Sequence, residues 1–345
     1  MSGPGFDVGF ALDADAPGLD PERLCDALVL GAGPAGIAAA IYLVRKGLST
    51  GIIAQALGGQ VAWTSDIENY PGFRLVDGAA LVQRFREQIA EMSPDLGLGL
   101  EVTKAAWVED RFVVRAAGVD YRSRALVVTT GKNPRLLGVP GEQRLLGRGV
   151  ATCAVCDAPL FRGKVVGVVG GGNSGLAAAL DLARASARVI VFQDLDRLAG
   201  DRIYERRLRT LPQVDVRLAT TVTAILGEDR VRAVRVRTGG TEEEIALDGV
   251  FVEIGLTPNS EAVRGLAPLN ARGEIDVDCA CRTAVPGLFA AGDVTSVPYK
   301  QIVIAAGEGA KAALSAADYL LRLENPRPGR AADALMRGRD DATAQ

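Results

Sequence analysis

Three observations predict an α/β fold of two Rossmann-like dinucleotide-binding domains (three-layer ββα/βαβ), the second inserted in the first. The motif G-x-G-x-x-G occurs twice, at Gly31 to Gly36 and at Gly170 to Gly175. Each copy sits between a buried apolar run and a helix of small residues, the context that gives the pattern its meaning. Two more apolar runs, Ala125 to Gly131 and Asp248 to Gly255, mirror each other on either side of the second motif, as expected where a chain leaves one domain and returns to it. The expected boundaries are a flexible leader over 1–22, a first domain over 23–136 and 253–324, an inserted domain over 137–252, and a disordered tail over 325–345.

Composition agrees. A chain of 345 residues that is 48% hydrophobic has length and apolar content for two cores. A net charge of −3 without a long basic run argues against nucleic-acid or polybasic membrane binding. No apolar run approaches the roughly 18 residues of a membrane span. The segment Met1 to Asp20 is rich in Gly, Asp and Pro and lacks the charged and apolar regions of a signal peptide, so a cytoplasmic location is expected. There a C-x-x-C is more often catalytic or metal-binding than a durable structural disulfide. Histidine is absent, which removes imidazole acid–base chemistry and every His-containing zinc site.

In chain order, Cys25 to Leu30 reads as a buried strand running into Gly31-Ala32-Gly33-Pro34-Ala35-Gly36, followed by a helix over Ile37 to Arg45 and a strand at Gly51 to Ala54. Gly31 permits the turn, Gly33 admits a pyrophosphate against the backbone, and Gly36 lets helix and strand approach. The helix start offers amides and partial positive charge to the phosphates. The ribose-contact place about 20 residues on is Gln55, which bonds a diol without charge assistance. Turn-rich segments at Leu57 to Gln60 and Ile67 to Gly72 are polar enough to line a cofactor, and helix-period residues span Ala79 to Met92. Alternating strands cover Glu101 to Val108 and Arg111 to Arg115 before the buried run that ends at Gly131.

The second βαβ unit comprises Gly163 to Val169, the fingerprint, a helix over Leu176 to Ala185 and a strand at Arg188 to Phe192. Two complete fingerprints imply two dinucleotides, most economically a flavin and the nicotinamide that reduces it. After the strand come Gln193-Asp194-Leu195-Asp196. An acid there repels a 2′-phosphate and bonds the free diol, which favours NADH, while Arg197 and Arg202 leave NADPH open. Strands follow at Val214 to Leu218, Val231 to Arg237 and Glu244 to Leu247. Asp293 ends the strand Gly287 to Asp293, where it is placed to take a ribityl hydroxyl. Gln301 opens a long helix over Ile302 to Leu321 whose dipole is placed to face a flavin ring.

Between the fingerprints lies Thr152-Cys153-Ala154-Val155-Cys156-Asp157. Two cysteines two residues apart can close and reopen a small disulfide ring, with an acid directly following to handle protons. The same pattern serves zinc knuckles, and a Cys₄ site with Cys279 and Cys281 is the rival reading. The single residue between that second pair departs from zinc spacing, so no metal is expected. Cys25 and Cys279 are expected as core thiols, with Cys281 left open.

These motifs together resemble the low-molecular-weight thioredoxin reductase family of class-II pyridine nucleotide-disulfide oxidoreductases, over about Cys25 to Leu323. Gly58-Gly59-Gln60, Asp66 to Tyr70, Cys156-Asp157 with Pro159-Leu160-Phe161, and Val297 to Gln301 are most like the reductase portion of alkyl hydroperoxide reductase flavoproteins. The resemblance implies FAD in a domain built from both chain ends, a homodimer, and rotation between the domains. It implies Cys156 as the flavin-side sulfur, Cys153 as the sulfur that attacks a partner's disulfide, and Asp157 as proton donor. The implied FAD contacts are Gly31, Gly33, Pro34, Ala35, Gly36, Gln55, Gly59, Gln60, Asn69, Thr130, Gly131, Gly292, Asp293, Gln301 and Ile302. The implied nicotinamide contacts are Gly170, Gly172, Asn173, Ser174, Gly175, Gln193, Asp194, Ile254 and Gly255.

Departures from that family shape the expectation. Phe192-Gln193-Asp194 replaces the basic signature of NADPH-specific members, and Gly175 stands where thioredoxin reductases commonly carry alanine. Pro159-Leu160 replaces the paired aromatics that dock thioredoxin. The segment before Cys25 is too short for the tandem thioredoxin-like domains of the peroxide-reductase branch. Electrons are therefore expected to leave to a separate thioredoxin-fold, glutaredoxin-like or peroxiredoxin protein.

Overall fold

The computed structural model describes residues 18–64 and 66–324, in two compact units. One unit takes the described residues through Gly59, then Val82–Gly131 and those from Pro258 onward; the other takes Gln60–Leu81 and Lys132–Thr257. The crossings thus lie a few residues from the expected 136/137 and 252/253. Hydrogen bonds explain the shift. In the first unit Asn259 Nδ2 donates to the Thr130 carbonyl at 2.9 Å and Thr130 Oγ1 donates back to the Asn259 carbonyl at 2.6 Å. In the second, the Arg135 amide donates to the Gly255 carbonyl at 3.0 Å. The segment Gln60–Leu81, expected in the first domain, groups with the second. Its Gln60 Nε2 donates to the Lys132 carbonyl at 2.6 Å, and its short hairpin pairs Asp66–Ile67 with Val76–Asp77.

The first unit is built on a seven-stranded sheet. Its parallel part runs Asp95–Leu98, Thr50–Leu57, Leu24–Ala32, Val119–Val128 and Leu288–Ala290. The start of Val119–Val128 also pairs antiparallel with Arg111–Ala116, which pairs with Val102–Val108. Strand alternation divides the apolar residues between two faces. Leu28, Leu30, Leu126 and Val128 join Phe112, Val114, Ile275 and Leu288 in one core. The helices Pro34–Arg45 and Ile302–Glu324 pack against each other. Their approach depends on Gly309, where a Cβ would collide with the Ala35 carbonyl.

The leader expected over 1–22 needs correction at its end. Gly18 bridges to Leu96, Leu19 packs on the core, and Arg122 donates to the Pro21 carbonyl at 3.1 Å. An apolar side chain with a core to meet is held in place. Residues 1–17 of that leader, and the tail expected over 325–345, lie outside the described residues.

The second unit carries a five-stranded parallel sheet in the order Val150–Ala151, Gly249–Val252, Val165–Val169, Arg188–Phe192, Val214–Arg217. One core holds Leu176, Ala179 and Leu182 of the helix Asn173–Leu182 with Val166, Val168, Val189 and Val191. A separate core joins Ile190, Val169 and Val250 to an antiparallel sheet of Thr220–Leu226, Ala233–Thr238 and Thr241–Ala246. The first of those three strands and the helix Arg202–Leu208 are additions to the sequence expectation.

Candidate redox site

Cys153 and Cys156 are joined by a disulfide, with Cα atoms 5.4 Å apart. Strand Val150–Ala151 ends just before them, and the chain turns into a single helical turn, Ala154–Asp157. The Cys153 carbonyl accepts the amides of Cys156 at 3.2 Å and Asp157 at 3.1 Å, which closes the turn around the ring. Ala154 and Ala158 are buried, while Val155 between the sulfurs is 60% exposed. Pro159 and Leu160 are exposed as well. Phe161 anchors the segment edge-on against Phe251, ring centroids 5.0 Å apart.

Glu253 is a residue of this site that the sequence reading missed. It follows the buried strand Gly249–Val252, and its Oε1 accepts the Ala154 amide, inside the disulfide ring, at 3.3 Å. Burial raises its pKa to about 7, opposed by that amide. The available signal was an acid at the end of the apolar run Val250-Phe251-Val252, where solvent is scarce.

The second fingerprint adjoins this corner. The backbone of Gly170 passes against the Glu253 carbonyl so closely that a Cβ at Gly170 would lie 2.5 Å from that oxygen. Gln193, expected at the ribose, is buried and engaged within the protein. Its Oε1 accepts the Gly171 amide at 2.8 Å and its Nε2 donates to the Arg197 carbonyl at 3.3 Å. Asn173 and Asp201 form a reciprocal pair, with the Asp201 amide donating to Asn173 Oδ1 at 2.7 Å and Asn173 Nδ2 donating to Asp201 Oδ2 at 3.1 Å. Asp194 and Asp196 are exposed, and Arg197 lies 3.6 Å from Asp196. Gly172 and Ser174 complete the turn, and Ile254 and Gly255 continue from Glu253.

The first fingerprint is assembled in the other unit. Gly31 has φ +104°, and a Cβ at Gly36 would collide with the Gly31 carbonyl. The Thr129 hydroxyl donates to the Leu30 carbonyl at 2.8 Å and lies 3.0 Å from that of Gly31, so the segment Thr129 to Gly131 that follows the strand Val119–Val128 is tied to the turn. A Cβ at Gly59 would meet Gly33 at 3.4 Å, and one at Gly292 would meet Ala35 at 3.0 Å. Gln55 is exposed at the end of its strand. Asp293 lies in the turn Gly292–Val294, and Gln301 caps the helix that begins at Ile302 by accepting the Ala305 amide at 2.9 Å. Of the expected flavin contacts, Gln60 and Asn69 fall in the second unit and the remainder in the first. Around Gly33 there is open space at the Cβ position, the vacancy a pyrophosphate on this turn requires.

The other thiols differ from expectation at one place. Cys25 is buried, but Cys279 is exposed and Cys281 is buried instead. Asp278 explains the exposure of Cys279. Its Oδ1 accepts the amides of Ala280 and Arg282, both at 2.9 Å, and this turn directs Cys281 inward. Burial raises the thiols of Cys25 and Cys281 to about 11. Among the described residues no group of three or more Cys, Asp or Glu is placed to hold a metal ion, and no helix is long and apolar enough to cross a membrane.

Comparison with known proteins agrees with this geometry. The family model "Pyridine nucleotide-disulphide oxidoreductase" matches residues 25–309. The chain belongs to that family. It is 45% identical over 314 residues to the F component of alkyl hydroperoxide reductase from Pseudomonas putida, covering 89% of this chain and 60% of that protein. With the corresponding F component from Staphylococcus aureus (strain MSSA476) it shares 42% over 312 residues, covering 90% and 62%. The chain thus spans about three fifths of the length of these curated relatives. Thioredoxin reductase from Streptococcus pyogenes superposes with a TM-score of 0.82 at 36% identity, covering 86% of this chain and 98% of that structure. The family's description pairs a pyridine nucleotide with a disulfide.

Proposed function

We propose that this chain passes electrons from NADH through FAD and the Cys153–Cys156 disulfide to the disulfide of a separate thioredoxin-fold, glutaredoxin-like or peroxiredoxin protein. The observation that carries the reading is a closed two-cysteine ring in the same compact unit as an intact second fingerprint. FAD, when bound, supplies the relay between a hydride donor and a disulfide. Gly31, Gly33 and Gly36 are the residues that would receive its pyrophosphate, with Asp293 and Gln301 toward the ribityl chain and ring.

Cys156 is assigned as the sulfur that accepts the electrons opening the ring, and Cys153 leaves as the thiolate. Asp157 gives or takes the accompanying proton. Cys153 then attacks the partner's disulfide, a step that is fastest when its pKa lies near the working pH. NADH is favoured over NADPH because the exposed Asp194 and Asp196 follow the second strand of this fold, the sequence position at which an acid disfavours a 2′-phosphate, and Arg197 lies beside Asp196. The partner surface offered beside the ring is Val155, Pro159 and Leu160 rather than paired aromatics. A homodimer and a cytoplasmic setting complete the proposal.

The test crosses NADH and NADPH with thioredoxins, glutaredoxin-like proteins and peroxiredoxins of the same cell. Anaerobic NADH is expected to bleach the flavin promptly, and one class of partner is expected to be reduced. A Cys156→Ser variant is expected to keep the bleaching and lose partner reduction. A variant that still reduces a protein disulfide overturns the route, and NADPH bleaching faster than NADH overturns the donor assignment.

A further inference from the structure

Glu253 has no assigned part in the reaction, yet it holds a backbone amide from within the redox ring. The contact is direct: Oε1 lies 3.3 Å from the amide of Ala154, the residue bonded to Cys153. The carboxyl is largely buried at a strand end, and its own backbone abuts the glycine turn at Gly170. Titratable groups on the neighbouring elements are Cys153, Cys156 and Asp157 on the ring turn, and Arg135, whose amide bonds Gly255. The glycine turn Gly170 to Gly175 contributes no titratable group.

We propose that Glu253 is a positioning residue for the redox ring, holding it through the Ala154 amide and setting, by its own charge, how readily Cys153 exists as a thiolate. This rests on the reading of Cys153 as the outlet sulfur. The balance is simple. Opening the ring breaks one S–S bond, takes two electrons from the reductant, and with one proton yields a thiol and a thiolate. A neutral Glu253 leaves that thiolate unopposed. An ionised Glu253 places a like charge in the same poorly solvated corner, and the sulfur then holds its proton to higher pH. Two groups that repel in this way titrate as a pair with separated macroscopic steps. The carboxyl is poised to matter because burial has already brought its titration to about 7.

The test uses the purified full chain, reduced with dithiothreitol, and reads alkylation of Cys153 by mass spectrometry as a function of pH. Dithiothreitol opens the ring without nicotinamide or partner protein, so the outcome is independent of the electron-donor and acceptor assignments. Those assignments fail or stand on the flavin-bleaching matrix instead. Wild type is expected to show two inflections. Glu253→Gln keeps an acceptor for the Ala154 amide but no charge, and is expected to show one. At about pH 8 that variant is expected to alkylate about tenfold faster. Glu253→Ala removes acceptor and charge together. If the Gln profile superimposes on wild type, whether or not the Ala profile shifts, the carboxylate has no electrostatic hold on the sulfur and the proposal is overturned.

Discussion

Each unit contains a carboxyl, buried at Glu308 and half-buried at Glu253, that accepts a single backbone amide beside a glycine turn, and the two are held differently. In the first unit Glu308 is 4% exposed and accepts the Gly292 amide at 2.9 Å. Burial raises its pKa, while that amide and the nearby Lys311 and Lys300 act to lower it, with Asp293 adding a raising influence. In the second unit Glu253 is raised by burial to about 7, and the Ala154 amide opposes the shift. Glu308 is set in the long helix Ile302–Glu324, one residue before the glycine that packs on Ala35, with two cations to answer its charge. Glu253 accepts an amide from inside the Cys153–Cys156 disulfide. Similar carboxyl–amide contacts thus lie beside two cations in one unit and, on the function proposed above, beside the redox sulfurs in the other.

Breaking the helix crossing at Gly309 is expected to have the largest effect. Gly309→Val drives a side chain into the Ala35 carbonyl, backbone against helix, where neither side can yield by rotating a side chain. Overpacking of this kind costs about 3 kcal/mol, and it separates the two helices behind the first fingerprint. Thermal unfolding together with flavin content of the purified protein checks this. An unchanged melting temperature with full flavin would show the helix crossing to be softer than its geometry indicates.

The next effect sharpens the contrast from the other side. Glu253 titrates at about 7 in the folded chain against an ordinary value of 4.5. Between those values the folded state holds more protons than the unfolded state, so stability falls as pH rises through the window and levels off above it. Glu253→Gln lacks this loss. Its stability relative to wild type is expected to grow by about 2 kcal/mol from acid to alkaline conditions, the full shift discounted for residual exposure. Denaturant unfolding at several pH values reads the difference. A parallel pair of curves would mean that Glu253 ionises in the folded state as freely as in the unfolded one.

Much of this was legible in the chain, for identifiable reasons. Fingerprint glycines are demanded by backbone collisions that other residues suffer: Gly36 and Gly175 against the Gly31 and Gly170 carbonyls of their own turns, which made those turns legible locally, and Gly31 and Gly170 against the remote carbonyls of Thr129 and Glu253. The strand Arg188–Phe192 was placed at its observed limits because its apolar run Val189 to Phe192 lies between the polar residues Arg188 and Gln193. Contacts between remote segments were less accessible. Nothing local in Gln60–Leu81 shows that Gln60 bonds Lys132, 72 residues later, so chain order alone assigns that segment to the other unit. Gln193 was legible as a polar residue at a strand end, but its burial against Gly171 depends on the return of the loop through Arg197. Cys279, expected inside, is exposed and Cys281, left open, is buried because two amide bonds to Asp278 define the turn, and spacing alone does not reveal which thiol faces inward.

Smaller effects test how the second unit readies its nucleotide turn. Gln193→Ala leaves the buried Gly171 amide without its acceptor, a loss of about 1 kcal/mol. It is expected to raise the KM for NADH about fivefold and leave flavin content unchanged. The smallest effect is at Asp194. Its carboxylate is exposed, so its repulsion of a 2′-phosphate acts through water and is screened by salt. Asp194→Ala is expected to lower the ratio of kcat/KM for NADH over NADPH about threefold at low ionic strength, and less as salt is added. The rate of anaerobic flavin bleaching with each nucleotide measures it directly. A ratio that does not move would assign the discrimination to Asp196, whose charge lies beside Arg197, and the double variant would then show the missing effect. A ratio that falls equally at high and low salt would mean the carboxylate bonds the ribose diol directly, since a short contact escapes the screening that weakens repulsion through solvent.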